Sequence, residues 1–128
     1  MSSLFSKIVS GEIPAHIIQE SSDFLAFLDI NPLAEGHTLV IPKKETDYIF
    51  DMGDEEYMKL WEFAKSVALK VEKAIECKRI GIAVIGLEVA HAHIHLVPIN
   101  SVSDINFAQP KLNLSQEELA RVAAKING

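Results

Sequence analysis

The spacing of hydrophobic residues changes several times along this chain, and each change marks an element. Leu4, Phe5, Ile8 and Val9 recur at helical intervals, Ser10-Gly11 supplies a stop, and Pro14 bars continuation, which predicts a short first helix. Ile17 to Glu20 and Phe24 to Leu28 read as two strands joined through the turn residues Ser21-Ser22-Asp23. Asp29-Ile30-Asn31-Pro32 leaves the second strand, a loop runs to Gly36, and His37 to Ile41 is a third strand stopped by Pro42. From about Asp54 to Glu76, apolar residues such as Leu60, Trp61, Ala64, Val67 and Val71 return at helical steps. That predicts one long helix across the sheet, with Asp54, Glu55 and Glu56 at the positive end of its dipole and the Trp61 stripe in the core. Arg79 to Ile85 is a fourth strand, and the short turn Gly86-Leu87-Glu88 makes the next strand its antiparallel neighbour. Ser115-Gln116-Glu117-Glu118 has the form of a capping box opening a last helix through Leu119, Val122 and Ile126. Ser101 to Leu114 is polar and irregular, a loop or a partner-facing tail.

The fifth strand carries the chemistry. In His91-Ala92-His93-Ile94-His95-Leu96-Val97-Pro98 the period of two puts three imidazoles on one face and Ala92, Ile94 and Leu96 on the other. A helix would scatter those residues. A lone strand histidine is an ordinary polar face residue, but three in strict alternation suggest nucleophilic, acid–base or metal-ligand work near neutral pH.

Composition narrows the classes. A chain of 128 residues, 48% hydrophobic, can bury the core of a single domain, residues 1–128. A net charge of −6 argues against a general nucleic-acid binder, which needs a basic face, but leaves room for a pocket that takes one nucleotide. The start Met1-Ser2-Ser3-Leu4-Phe5 lacks a basic leader and a long apolar run, and no segment is long enough to span a bilayer. The single cysteine, Cys77, cannot form an internal disulfide, and its expected role is structural; a cytoplasmic location and no membrane partner follow as expectations.

The sequence around the histidines, with Phe5-Ser6-Lys7-Ile8-Val9-Ser10-Gly11-Glu12-Ile13-Pro14, Phe27-Leu28-Asp29-Ile30-Asn31-Pro32 and Gly36-His37-Thr38-Leu39-Val40-Ile41-Pro42-Lys43, resembles the HIT (histidine triad) superfamily. The resembling blocks run in order over about residues 4–100, and residues 101–128 add a loop and the C-terminal helix. The resemblance implies an α+β fold with a five-stranded antiparallel sheet, one long helix and two shorter ones. It also implies a homodimer and nucleotidyl transfer or hydrolysis on phosphoramidates or dinucleoside polyphosphates, with no metal cofactor. By the same resemblance His93 is the nucleophile, His95 contacts phosphate oxygens, His91 flanks them, and His37 aligns the nucleophile's far ring nitrogen. Phe5, Ile8, Leu28 and Ile30 match residues that sandwich a purine base, and Asp29 matches the carboxylate that takes the ribose hydroxyls. Without the family, His37 reads as structural and Asp29 as turn chemistry.

The chain departs from the family pattern just before the triad. Leu87 stands where a glutamine helps the leaving group, and Glu88 stands in the nucleotide site where a hydroxyl donates to phosphate. An ionised carboxylate cannot donate. Ser3, Ser6 and Glu45 stand where some members hold a structural zinc through two cysteines and a histidine, and hydroxyls are poor zinc ligands, so no zinc is expected. Three classes of function follow: a nucleotide hydrolase working through nucleotidyl-His93, a nucleotide-binding homodimer with little turnover, and a metalloprotein using the histidines as ligands.

Overall fold

Why two strands are apolar at nearly every position becomes clear from what covers them. The structure, a computed structural model, describes residues 3–128. Five strands, β1 (Ile17–Glu20), β2 (Phe24–Leu28), β3 (Thr38–Pro42), β4 (Arg79–Ala83) and β5 (Ile94–Ile99), form one antiparallel sheet in the order β1-β2-β3-β5-β4. On one face lie α2 (Asp54–Ala74) and α3 (Gln116–Asn127); on the other lies α1 (Leu4–Ser10). With both faces covered, β2 and β3 are buried along their whole length. Phe24, Ala26, Leu28, Val40, Ile94 and Leu96 face the main core with Leu60, Ala64, Val67 and Val71 of α2, while Leu25, Phe27, Leu39 and Ile41 face Phe5. Each such large side chain contributes about 1.5–3 kcal/mol through burial. The chain is therefore α+β, with the long helix over the larger core.

Two of the three α-helix starts carry a side-chain cap. Ser3 accepts the Ser6 N–H at 2.9 Å to cap α1, and Ser115 with Glu118 closes the expected capping box on α3. β3 stops at Pro42 as expected, whereas Pro98 sits inside β5, one residue before its end. Pro42 pairs with Phe24, and Pro98 pairs with Ile80. The β3–β5 pairing covers only Thr38 to Val40 against Leu96 to Ile94, so each proline lies where its strand has one neighbour instead of two. A missing N–H costs nothing there.

The tight turn expected at Gly86-Leu87-Glu88 is a longer connection. β4 ends at Ala83 and β5 begins at Ile94, yet the two remain antiparallel partners from Arg79↔Ile99 to Ala83↔His95. The main chain near the histidines has other partners: His91 N–H donates to Val89 O and Ala92 N–H to Thr46 O. Those bonds draw residues 91–92 into the loop that follows β3. Ahead of β3, Gly36 has φ +93°, and a Cβ there would meet Ile75 Cγ1 at 2.9 Å and Pro98 Cγ at 3.3 Å. Glycine is required on both counts, and the close approach sets where His37 begins.

Candidate active site

Only His95 of the triad lies within β5; His91 and His93 precede it, which corrects the expectation of one strand carrying all three. The alternation nevertheless survives in extended backbone. Ala92, Ile94 and Leu96 enter the main core, and His93 and His95 lie on the α1 side of the sheet. All four relevant histidines are buried: His37 and His91 expose 1% and 0%, His93 and His95 expose 6% and 8%.

Buried imidazoles need partners on both nitrogens, and the partners here assign every proton. His93 Nδ1 lies 2.8 Å from the His91 main-chain carbonyl, which can only accept, so Nδ1 carries the proton and Nε2 keeps its lone pair. His91 Nε2 donates to Pro42 O at 2.7 Å, leaving Nδ1 to accept from the Ser3 hydroxyl at 2.8 Å. His37 Nδ1 accepts the Leu33 N–H at 3.0 Å, so His37 Nε2–H donates to His95 Nδ1 at 3.0 Å. His95 is thereby left with an Nε2–H to offer. The expected role of His37 is corrected by this geometry: it orients His95, while the His91 carbonyl orients His93.

Burial sets the charges. Desolvation holds His37 down to about 3 and His95 down to about 4, with neighbouring His95, Lys111 and His93 adding to the effect. His91 is lowered as well, chiefly by burial. These three are neutral at pH 7. Burial raises the Asp29 carboxyl, against the Asn31 N–H bond that favours its charge. Asp29 makes the local contact of a turn residue: its Oδ1 accepts the Asn31 N–H at 2.9 Å, and its Oδ2 lies 3.6 Å from His37 Nε2.

A pocket of about 220 Å³ opens beside His93 and His95. Phe5, Ile8, Leu28, Asp29, Ile30 and Glu88 all line it; His37 and His91 stand behind the wall. Phe5 sets its ring edge-on to His93, centroids 5.0 Å apart. The walls are apolar with one deep carboxylate and a second, exposed one at Glu88, a lining that suits a flat base carrying a polar sugar. Leu87 lies elsewhere, 89% exposed, beside Tyr48 and Phe50.

Relatives carry the same architecture. The sequence matches the HIT domain family model over residues 10–102. This chain belongs to the HIT family. An uncharacterised HIT-like protein of Methanocaldococcus jannaschii is 42% identical over 105 residues, covering 74% of this chain and 77% of that one. The adenosine 5'-monophosphoramidase of Schizosaccharomyces pombe is 32% identical across 99% of this chain and 97% of its own length. In three dimensions a Hit-like protein from Bartonella henselae aligns with a TM-score of 0.85 at 30% identity, covering 98% of this chain and 95% of that one.

Two features of this HIT protein extend the site beyond the residues that the sequence assigned to catalysis and nucleotide binding. Phe107, from the polar segment after β5, places its ring 4.7 Å from His95 and 6.2 Å from His37, centroid to centroid. The segment folds back through Leu112 N–H, which donates to Pro32 O at 2.8 Å, so it covers the histidines of its own chain. A lone aromatic in a polar stretch was the only signal. The second feature is where Ser3, Ser6 and Glu45 meet. Their donor set with His91 is two hydroxyls, a carboxylate and an imidazole whose Nδ1 already accepts from Ser3. Without thiolates, that set does not fit a structural zinc.

Among the described residues, Asp29, His37 and His95 offer one ligand atom each within 4.8 Å, and no such group contains all three triad histidines. A metal bridging His37 Nε2 and His95 Nδ1 would displace the proton they share. It would push that proton to His37 Nδ1, against the Leu33 N–H. The hydrogen-bonded arrangement is the better use of these nitrogens. Among the described residues no helix is long and apolar enough to cross a membrane.

Proposed function

We propose that this HIT protein cleaves nucleoside phosphoramidates or dinucleoside polyphosphates through a nucleotidyl-His93 intermediate. The observation that carries the reading is the hydrogen bond from His93 Nδ1 to the His91 carbonyl. It leaves an unprotonated Nε2 on a residue lining a base-sized pocket. In the first step Nε2 forms a bond to the α-phosphorus while the bond to the leaving amine or phosphate breaks, and the leaving group departs with the electron pair and takes a proton from solvent. In the second, water attacks the phosphorus, the Nε2–P bond breaks and returns the lone pair to His93, and the proton released by the water goes to solvent. His95 Nε2–H donates to the phosphoryl oxygen as charge develops there. Asp29 accepts the ribose hydroxyls, and Phe5, Ile8, Leu28 and Ile30 hold the base, a purine in this reading. The relative named adenosine 5'-monophosphoramidase supports this substrate class.

The direct test is intact-mass spectrometry after mixing with an adenosine phosphoramidate and quenching. An added adenylyl mass together with released AMP supports the reading. Bound AMP with neither adduct nor turnover would move the protein to the second reading, a nucleotide-binding homodimer with little catalysis. Glu88 favours that alternative, because it brings an acceptor-only carboxylate to the pocket. Asp29→Asn separates binding from chemistry: its retained carbonyl still accepts from Asn31. We expect KM to rise about tenfold with kcat nearly unchanged, the loss of one charge-assisted contact. An unchanged KM would remove Asp29 from the ribose site.

The proposed partner is a second copy of this chain, joined along β4. That strand is one of the two edges of the sheet, and Ile82, Ile85 and Leu87 on or next to it are 52%, 48% and 89% exposed. An unpaired edge with exposed aliphatic side chains is a template for another strand. Sedimentation equilibrium at micromolar concentration is expected to give twice the chain mass, and a monomer would exclude the arrangement. The cytoplasm is the proposed location.

A further inference from the structure

We propose that Glu45 is a positioning residue for His93, acting through Ser3, Ser6 and His91. The inference rests on His93 being the nucleophile. Glu45 Oε1 accepts the Ser3 N–H at 2.6 Å and the Ser6 hydroxyl at 2.7 Å. Ser3 Oγ in turn lies 2.8 Å from His91 Nδ1, and Ser6 Oγ lies 3.4 Å from it. The far side of the same ring is fixed by Nε2–H to Pro42 O at 2.7 Å. His91 is fully buried, so the ring held at both ends leaves its main chain little freedom. That main chain supplies the carbonyl on which His93 Nδ1 is hung.

The residue next to Glu45 acts on the same peptide. Thr46 O accepts the Ala92 N–H at 2.6 Å, so the 45–46 loop grips the 91–92 backbone directly and grips the His91 ring through the serines. Ser3 is also the N-cap of α1, the helix that carries Phe5 against His93. One carboxylate thus ties the wall of the base slot to the carbonyl that sets the nucleophile's tautomer. The lowering of Glu45 to about 2 has the same source, the Ser3 and Ser6 donors, and keeps it ionised as an acceptor throughout the neutral range. A site of this kind fixes geometry with protons, where a metal would fix it with ligand bonds. One acceptor at position 45 takes a donor from each serine, the Ser3 N–H and the Ser6 hydroxyl.

The test is a pair of substitutions read in two ways. Glu45→Ala removes the acceptor, and Glu45→Gln keeps one oxygen that accepts from both serines. Long-range proton–nitrogen NMR of the imidazoles, on protein without nucleotide, reports the His93 tautomer and needs no turnover. We expect wild type to hold His93 with Nδ1 protonated, Glu45→Ala to give a mixture of tautomers, and Glu45→Gln to restore the single form. In the steady state Glu45→Ala should lower kcat roughly 10- to 100-fold, the usual cost of losing such an outer partner. KM for the nucleotide should change less than about threefold, and Glu45→Gln should recover most of the kcat loss. A folded Glu45→Ala protein with the wild-type tautomer and wild-type kcat overturns the proposal. So does a loss in Glu45→Ala that Glu45→Gln does not recover, or one borne by KM alone. If wild type itself neither turns over nor forms the adduct, the nucleophile reading fails while the tautomer experiment still decides whether Glu45 positions His93.

Discussion

Replacing His93 with alanine is expected to lower AMP release from an adenosine phosphoramidate by a factor on the order of 10⁴ or more, with no adenylylated protein at any quench time. The size follows from what is lost. A bound phosphoramidate without its nucleophile retains only the donors and walls of the site, and water must then attack phosphorus without a covalent intermediate. Folding should survive, because His93 faces a pocket and, among the described residues, its side chain hydrogen-bonds the His91 carbonyl alone. AMP binding is therefore the control, and it should stay within a few-fold, since the base and ribose contacts proposed above come from α1 and the β2 exit. His95→Gln gives a graded comparison, with a smaller loss of about 10² to 10³, as for removal of one donor to a developing oxyanion. If His93→Ala hydrolysed the substrate at the wild-type rate, the attacking group would have to be something other than His93 Nε2.

Mild acid should destabilise the fold sharply. His37 and His95 hold folded-state values of about 3 and about 4 against an ordinary 6.5, so the unfolded chain binds protons that the folded one refuses. Stability from these two groups is fully present above about pH 6.5 and is lost as pH falls through 6 and 5 toward those lower values. At roughly 1.4 kcal/mol per pH unit, each costs about 2 kcal/mol by pH 5, up to about 4 kcal/mol for the pair. Against a typical domain stability of about 5–15 kcal/mol that is a large fraction. Asp29, raised by burial, works in the opposite direction and reduces the net loss. Urea unfolding at pH 7.5 and pH 5.0 is the measurement: the wild-type midpoint should fall clearly, and His37→Asn should show a smaller fall. Equal wild-type midpoints at the two pH values would mean that neither histidine is held neutral by the fold.

How much of this was legible before the structure depends on the range of the interaction concerned. The α+β architecture, the three helices and the pairing of β4 with β5 were all readable, because period, caps and turn residues are local properties. Strand ends were less so. Pro42 read as a stop and β3 ends there, yet Pro98 is tolerated inside β5 where the neighbouring pairing with β3 has already ended, and a neighbour's length is not written in the strand itself. The turn at Gly86-Leu87-Glu88 read as tight because nothing in those residues announces that Ala92 will bond Thr46 instead of a strand partner.

The site divides along the same line. Three histidines alternating with apolar residues, together with blocks that resemble HIT sequence, by themselves put imidazoles on one side of a sheet and named Phe5, Ile8, Leu28, Asp29, Ile30 and Glu88, which line the pocket beside His93 and His95. Tertiary structure decided which nitrogen each imidazole leaves free. The His91 carbonyl settles His93, Leu33 settles His37 and through it His95, and Ser3 with Pro42 settles His91. Tertiary structure also brought Phe107 onto His95 and Glu45 onto the two serines. A side chain's kind and period are encoded where it stands in the chain, whereas the placing of a proton on a ring nitrogen depends on the folded geometry. The His91 carbonyl and Leu33 N–H act from two and four residues away through the bends of the main chain, and His37 and Pro42 reach His95 and His91 across 58 and 49 residues.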